Sequence, residues 1–129
     1  MNKIKEFLIV YSIGAVVYSL IEIMWRGYTH WTMSLLGGTC FSFIYVIADK
    51  LGHLKIWTKC LFSSIFITTA EFIVGIVVNL VFKMNVWDYS DERFNLLGQI
   101  CLLYSVFWYF LCIPATLVSN LLRKKLRKI

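Results

Sequence analysis

Residues 56–82 read IWTKCLFSSIFITTAEFIVGIVVNLVF, a run in which only Lys59 and Glu71 carry a charge. A helix of about 20 residues is long enough to cross a hydrocarbon core of about 30 Å. In lipid the backbone must satisfy its own hydrogen bonds, so this run forms a helix although Ile, Val and Phe favour strands in water. The stretch therefore predicts a transmembrane helix.

Three further apolar runs of similar character lie at residues 6–25, 31–48 and 94–122. Of the 129 residues, 60% are hydrophobic and 16% are charged. A soluble domain is roughly half apolar and roughly a quarter charged, and a small one cannot bury this much apolar surface. We therefore predict one integral membrane domain over residues 1–129, folded as an all-α bundle of four transmembrane helices.

The basic residues are distributed unevenly between the two ends of the predicted bundle. Ten of the 13 Lys and Arg residues lie in the N-terminal segment, the middle link and the C-terminal tail, and three lie in the other links. Because basic loops stay on the cytoplasmic side, this predicts a multi-pass protein of the cytoplasmic membrane with an N-in/C-in orientation. Trp25, Trp31 and Trp87 are then expected at the outer interface and Trp57 at the inner one. The net charge of +6 suits an anionic membrane face, and no nucleic-acid partner is predicted.

Glu71 is the strongest functional signal in the sequence. An ionised carboxylate at mid-membrane depth is costly, and such residues face the bundle interior and mark ion, proton or substrate pathways. Polar or small residues recur around it at steps of three or four, which places them on one helix face. The alternative is a protonated Glu71 that only ties helices together through hydrogen bonds. The predicted ion- or substrate-binding residues are Glu71, Thr68, Ser64 and Asn79 on this helix, with Ser42 and Ser105 on neighbouring helices.

Glu22 and Arg26 form a second polar pair, four residues apart in the first helix. Residues at this spacing can form an ion pair, and we interpret this one as structural, at the outer interface. The helical rise places Glu22 roughly 10 Å nearer the outer face than Glu71, so the two carboxylates are not predicted to share a site. Gln99 is expected near the depth of Glu22, also in a structural role.

Other classes of site find no support in the sequence. The cysteines at 40, 60, 101 and 112 show neither a CxxC spacing nor a histidine partner. The sequence also lacks a phosphate-binding loop and a nucleophile–base arrangement. We therefore predict no metal site, no cofactor and no enzymatic activity.

Two stretches resemble a known family. The first reads IEIMWRGYTHWTM at 21–33, followed by LLGG at 35–38, and the second reads VWDYS at 86–90, followed by FNLLGQIC at 94–101 and then Trp108. They resemble the CmpB-like ABC-transporter type IV permeases, small bacterial membrane proteins, over nearly the whole chain. The resemblance implies a bacterial inner-membrane location and a transport role. It also implies importance for the structure or activity at Glu22, Trp87, Asp88, Tyr89 and Asn95.

Together these features predict a small permease-like protein with a polar intramembrane site centred on Glu71. Four helices enclose little volume, so a homo-oligomer or a membrane or ATPase partner subunit is expected to complete the pathway. One alternative is a non-transporting accessory or scaffold protein whose polar residues only hold the bundle. The other is a membrane enzyme acting on lipid, which is disfavoured because no second catalytic group is found near Glu71.

Overall fold

The computed structural model describes residues 2–27, 29–84, 86–87, 94–98 and 100–128, without the side chains of Arg26, Asn95 and Cys101. Its helices are α1 (Lys3–Arg26), α2 (Trp31–Lys50), α3 (Ile56–Gly75) and α4 (Leu102–Arg127). A π-helical turn (Ile76–Val81) extends α3. All four are long and apolar enough to cross a membrane. The prediction of a four-helix transmembrane bundle is therefore confirmed.

The first hairpin is defined by clear helix-end signals. Asn2 is the N-cap of α1, and its side chain accepts a hydrogen bond from the backbone N–H of Ile4 at 2.8 Å. Gly27 ends the helix at φ +83°, a left-handed conformation that glycine adopts readily, and its N–H bonds to the carbonyl of Ile23. His30 caps α2, because its side chain accepts a hydrogen bond from the backbone N–H of Thr32.

Small residues allow α1 and α2 to approach closely. A Cβ atom on Gly38 would lie 2.7 Å from the Tyr11 ring, and one on Gly37 would overlap the Tyr18 side chain. Close helix approach through glycine is a common way to gain packing contacts in membranes, where apolar burial alone does not drive helix association. Gly37 therefore provides the space in which Tyr18 is seated.

The predicted start of the fourth helix at residue 94 is wrong, because α4 begins at Leu102. Phe94, Leu97 and Gly98 have φ values of 58°, 55° and 72°, which are incompatible with a right-handed helix. The chain instead forms two short antiparallel strands, β1 (Asn95–Leu96) and β2 (Ile100–Cys101). The other end extends past the predicted residue 122 to Arg127, because basic residues stabilise the last turn of a helix.

Among the tryptophans predicted at the interfaces, Trp87 differs from the others in its burial. Trp25, Trp31 and Trp57 are exposed on the bundle surface, but Trp87 is buried, with 6% of its surface exposed. The backbone N–H groups of Val86 and Trp87 both donate to Oδ1 of Asn79, at 2.6 and 3.3 Å. This contact draws the segment after α3 back into the bundle.

The end of the bundle that carries both termini is held by a charged network. Arg127 donates through two nitrogens to the two carboxylate oxygens of Asp49, at 2.8 and 3.2 Å. Its Nε also lies 3.4 Å from Oε1 of Glu6, which accepts a hydrogen bond from the Tyr45 hydroxyl. These contacts join α1, α2 and α4, so the N-terminus of the first helix and the C-terminus of the last meet at one end.

The orientation of this end relative to the cytoplasm is a testable expectation. A cysteine introduced at Asn2 should react with a membrane-impermeant thiol reagent only from the cytoplasmic side, because the basic residues concentrate at that end. A cysteine at Lys83, exposed beyond the π-helical turn, should react only from outside. Selective labelling in sealed spheroplasts and inverted vesicles makes the comparison, and labelling at Asn2 from outside would reverse the orientation.

Candidate functional site

Glu71 lies inside the bundle, as its sequence position predicts for a costly carboxylate. It is buried, with 3% of its surface exposed. The indole Nε1–H of Trp108, on α4, donates to Oε2 of Glu71 at 2.7 Å. Because a buried polar group without a hydrogen bond is destabilising, this contact helps to hold a carboxyl group at this depth.

A cavity of about 260 Å³ lies beside Glu71. Helix α1 packs mainly on α2, whereas α4 packs on α3 and α2, which leaves space between α1 and α4. The walls come from all four helices and include Gly14 on α1, Cys40 on α2 and Ala115 on α4. Among the described residues that line the cavity, Glu71 is the only acidic or basic one.

A second cavity, of about 530 Å³, adjoins the first one. Its lining includes Glu22 and Trp87, whereas Glu71 borders the first cavity. Tyr18 and Trp108 line both cavities, and their rings stack with centroids 5.7 Å apart. This aromatic pair, one ring from α1 and one from α4, is therefore a shared wall between a cavity with Glu71 and a cavity with Glu22.

The aromatic pair is positioned by a chain of contacts that begins on α2. Gly37 leaves room for the Tyr18 side chain, the Tyr18 ring stacks on Trp108, and Trp108 donates its hydrogen bond to Glu71. Each step joins a different pair of helices. The geometry at the carboxylate thus depends on how α1, α2, α3 and α4 pack together.

Of the residues assigned to the polar site, Thr68 and Ser105 lie nearest in sequence to the Glu71–Trp108 pair. Thr68 Oγ1 donates to Ser105 Oγ at 3.3 Å. Thr68 lies three residues before Glu71, and Ser105 lies three residues before Trp108. This second hydrogen bond between α3 and α4 therefore lies about one helical turn away from the first on each helix.

Ser64, Ser42 and Asn79 form hydrogen bonds elsewhere. Ser64 Oγ donates to the carbonyl of Leu61, and Ser42 Oγ donates to the carbonyl of Gly38, so both bonds stay within their own helices. Asn79 binds the segment after α3. None of these three hydrogen bonds involves Glu71.

The predictions for the outer face can be followed only in part. Glu22 is half-buried and lines the second cavity, so it lies apart from the cavity of Glu71. Five predicted groups lie outside the described part of the chain, namely the Arg26 and Asn95 side chains and residues Asp88, Tyr89 and Gln99. The Glu22–Arg26 ion pair therefore stays a prediction.

Sequence reasoning missed the partner of Glu71. In the sequence, Trp108 falls at the middle of the predicted 94–122 span, away from the interfaces where Trp is enriched. A buried indole N–H usually finds an acceptor, and Glu71 was the one carboxylate predicted at mid-membrane depth. This unusual position was the signal that could have identified the pair.

The chemistry available at the site is that of a single carboxylate in apolar surroundings. Within the described residues, no group of three or more His, Cys, Asp and Glu side chains could hold a metal ion. A carboxylate bordering a cavity can accept and release a proton, or it can hold a cation by charge.

Comparison with models of known protein families gives a match. Residues 4–129 match the family model described as "Putative ABC-transporter type IV". No curated protein and no solved structure matches the chain. The family match extends over all four membrane-spanning helices.

Proposed function

Since this chain belongs to the ABC-transporter type IV family, we propose that it is a small permease-like protein with an intramembrane site centred on Glu71. The observation that carries this proposal is a carboxylate 3% exposed, hydrogen-bonded to Trp108 and bordering a cavity between α1 and α4. A carboxyl group is costly at this depth. Exchange of a proton or a cation at Glu71 is the role that accounts for this cost.

The proposal places the chain in the bacterial cytoplasmic membrane and assigns it no enzymatic activity. The two cavities adjoin at the Tyr18–Trp108 stack, but each is small beside the length of the bundle. A second copy of the chain, or a membrane or ATPase partner subunit, would supply the remaining walls of a pathway.

The test is proton movement through the purified protein in liposomes. Vesicles containing trapped pyranine receive a potassium diffusion potential through valinomycin, and the internal pH is followed. Wild-type protein should speed acidification over protein-free vesicles. The Glu71→Gln variant should fall to the protein-free rate, because it keeps the size and hydrogen-bonding ability of the side chain but cannot carry the proton.

Glu22→Gln is the matched control, because it makes the same chemical change in the adjoining cavity. Its rate should remain close to that of the wild type. Equal rates for Glu71→Gln and wild type would contradict a working role for Glu71. A wild-type rate no faster than protein-free vesicles would contradict proton exchange by this chain.

An accessory or scaffold role is the second candidate, and the Glu71–Trp108 hydrogen bond itself favours it. That bond joins α3 to α4 and could serve packing alone. In that case the Gln variant would fold normally, and the wild-type protein would not move protons.

A further inference from the structure

We propose that the cavity beside Glu71 binds a small lipophilic organic cation, whose charge pairs with the carboxylate and whose apolar body fills the space between α1 and α4. This inference deepens the proposed function and rests on it for the statement that the bound cation is a transported species. Binding itself requires only the cavity and the ionised form of Glu71.

The side chains that line the cavity indicate the chemical character of its ligand. Ile13 and Val17 come from α1, Ile44 from α2, and Leu111 and Val118 from α4. Ligand sites are lined mainly by apolar side chains, and a few polar groups fix the orientation of the ligand. Here the apolar surroundings favour a mainly hydrocarbon ligand, and Glu71 favours one positive charge.

The aromatic pair favours an organic cation over an inorganic one. Tyr18 and Trp108 border the cavity beside the carboxylate, and a quaternary ammonium group gains energy near aromatic rings. Metal cations such as Ca²⁺ instead need six or more oxygen ligands. The described lining offers a single carboxylate and a nearly apolar wall, which suits a weakly hydrated cation.

The opening of the cavity indicates that its ligand enters from lipid. Val17, Leu111 and Val118 line the cavity and are also 47%, 43% and 52% exposed on the bundle surface. They lie on α1 and α4, within the segments that are apolar enough to span a membrane. A ligand that partitions into the bilayer would therefore reach the cavity sideways, between these two helices.

The experiment uses two probes of the same shape and different charge. Benzyltrimethylammonium carries one positive charge, and neopentylbenzene is its neutral isostere. Binding of each is measured by calorimetry to the whole chain in lipid nanodiscs, with the signal from empty discs subtracted. The wild-type protein should bind the cation at least about tenfold more tightly than the isostere, a difference of about 1.4 kcal/mol.

Three variants locate the binding site. Glu71→Gln should weaken cation binding by about tenfold or more, because it removes the charge partner in a dry environment. Ala115→Phe should abolish binding by filling the cavity while leaving Glu71 and Trp108 in place. Glu22→Gln should change the affinity by less than about twofold, since it alters only the adjoining cavity. Circular dichroism and gel filtration check that each variant is folded.

The outcomes separate this inference from the proposed function. Equal binding of both probes, or no cation binding above empty discs, would overturn the cation site. So would a cation affinity that Glu71→Gln and Ala115→Phe leave unchanged. Glu71-dependent proton flux without cation binding would overturn this inference alone. Cation binding without proton flux would leave the site standing and overturn the transport function.

Discussion

Replacing Arg127 with glutamine should lower the free energy of unfolding by about 2 kcal/mol, because Asp49 and Glu6 then lose the cation they share. Removing one partner of a fully buried pair costs about 3–5 kcal/mol, and an exposed pair contributes about 1 kcal/mol or less. Arg127 is 50% exposed, whereas the Glu6 side chain is only 10% exposed, so the expected value lies between these limits.

Denaturant unfolding in detergent micelles measures this effect. Lys125→Gln is the matched control, since it removes the same charge from an exposed position in the same tail and should change stability by less than about 0.5 kcal/mol. Arg127→Lys should fall between the two, because an ammonium group cannot form the paired bonds to Asp49. An Arg127→Gln protein as stable as the control would show that the network does not hold the helices together.

The spans of the bundle could be predicted from the sequence because lipid leaves an apolar run few structural options. The start of α4 could not, because residues 94–101 are as apolar as a helix while three of their backbone positions adopt left-handed conformations. The burial of Trp87 depends on a bond to Asn79, eight positions earlier. Neither feature follows from hydrophobic periodicity.

Of the candidate site, only the central residue, Glu71, could be predicted from the sequence. Glu71 stands out because a carboxylate is costly in a transmembrane run. Its bond to Trp108, the Tyr18 stack and the cavity depend on how α1 and α4 are rotated and spaced, which the sequence does not specify. The Arg127 network likewise joins residues far apart in the chain.

The second large effect concerns the Glu71–Trp108 pair. Trp108→Phe removes the indole N–H donor and should cost about 1–3 kcal/mol, because it leaves a buried carboxyl group without that hydrogen bond. Glu71→Leu should cost a similar amount by leaving the indole N–H without its acceptor. The double variant should cost less than the sum of the two, since replacing both partners with apolar groups can be nearly neutral.

A double-mutant cycle of unfolding free energies tests this coupling. Trp25→Phe is the control for loss of an indole, because Trp25 is 71% exposed on the bundle surface and should not couple to Glu71. Additive effects for Glu71→Leu and Trp108→Phe would show that the hydrogen bond contributes nothing to stability.

The most direct test of the central claim is proton flux through the Glu71→Leu/Trp108→Phe double variant in pyranine-loaded liposomes. This protein keeps an apolar interior but has no carboxyl group at the site. The claim that Glu71 is the working group predicts a folded protein with a melting temperature near that of the wild type and the proton flux of protein-free vesicles. Wild-type flux through this folded double variant would contradict the claim, and would show that Glu71 serves only to pack the bundle.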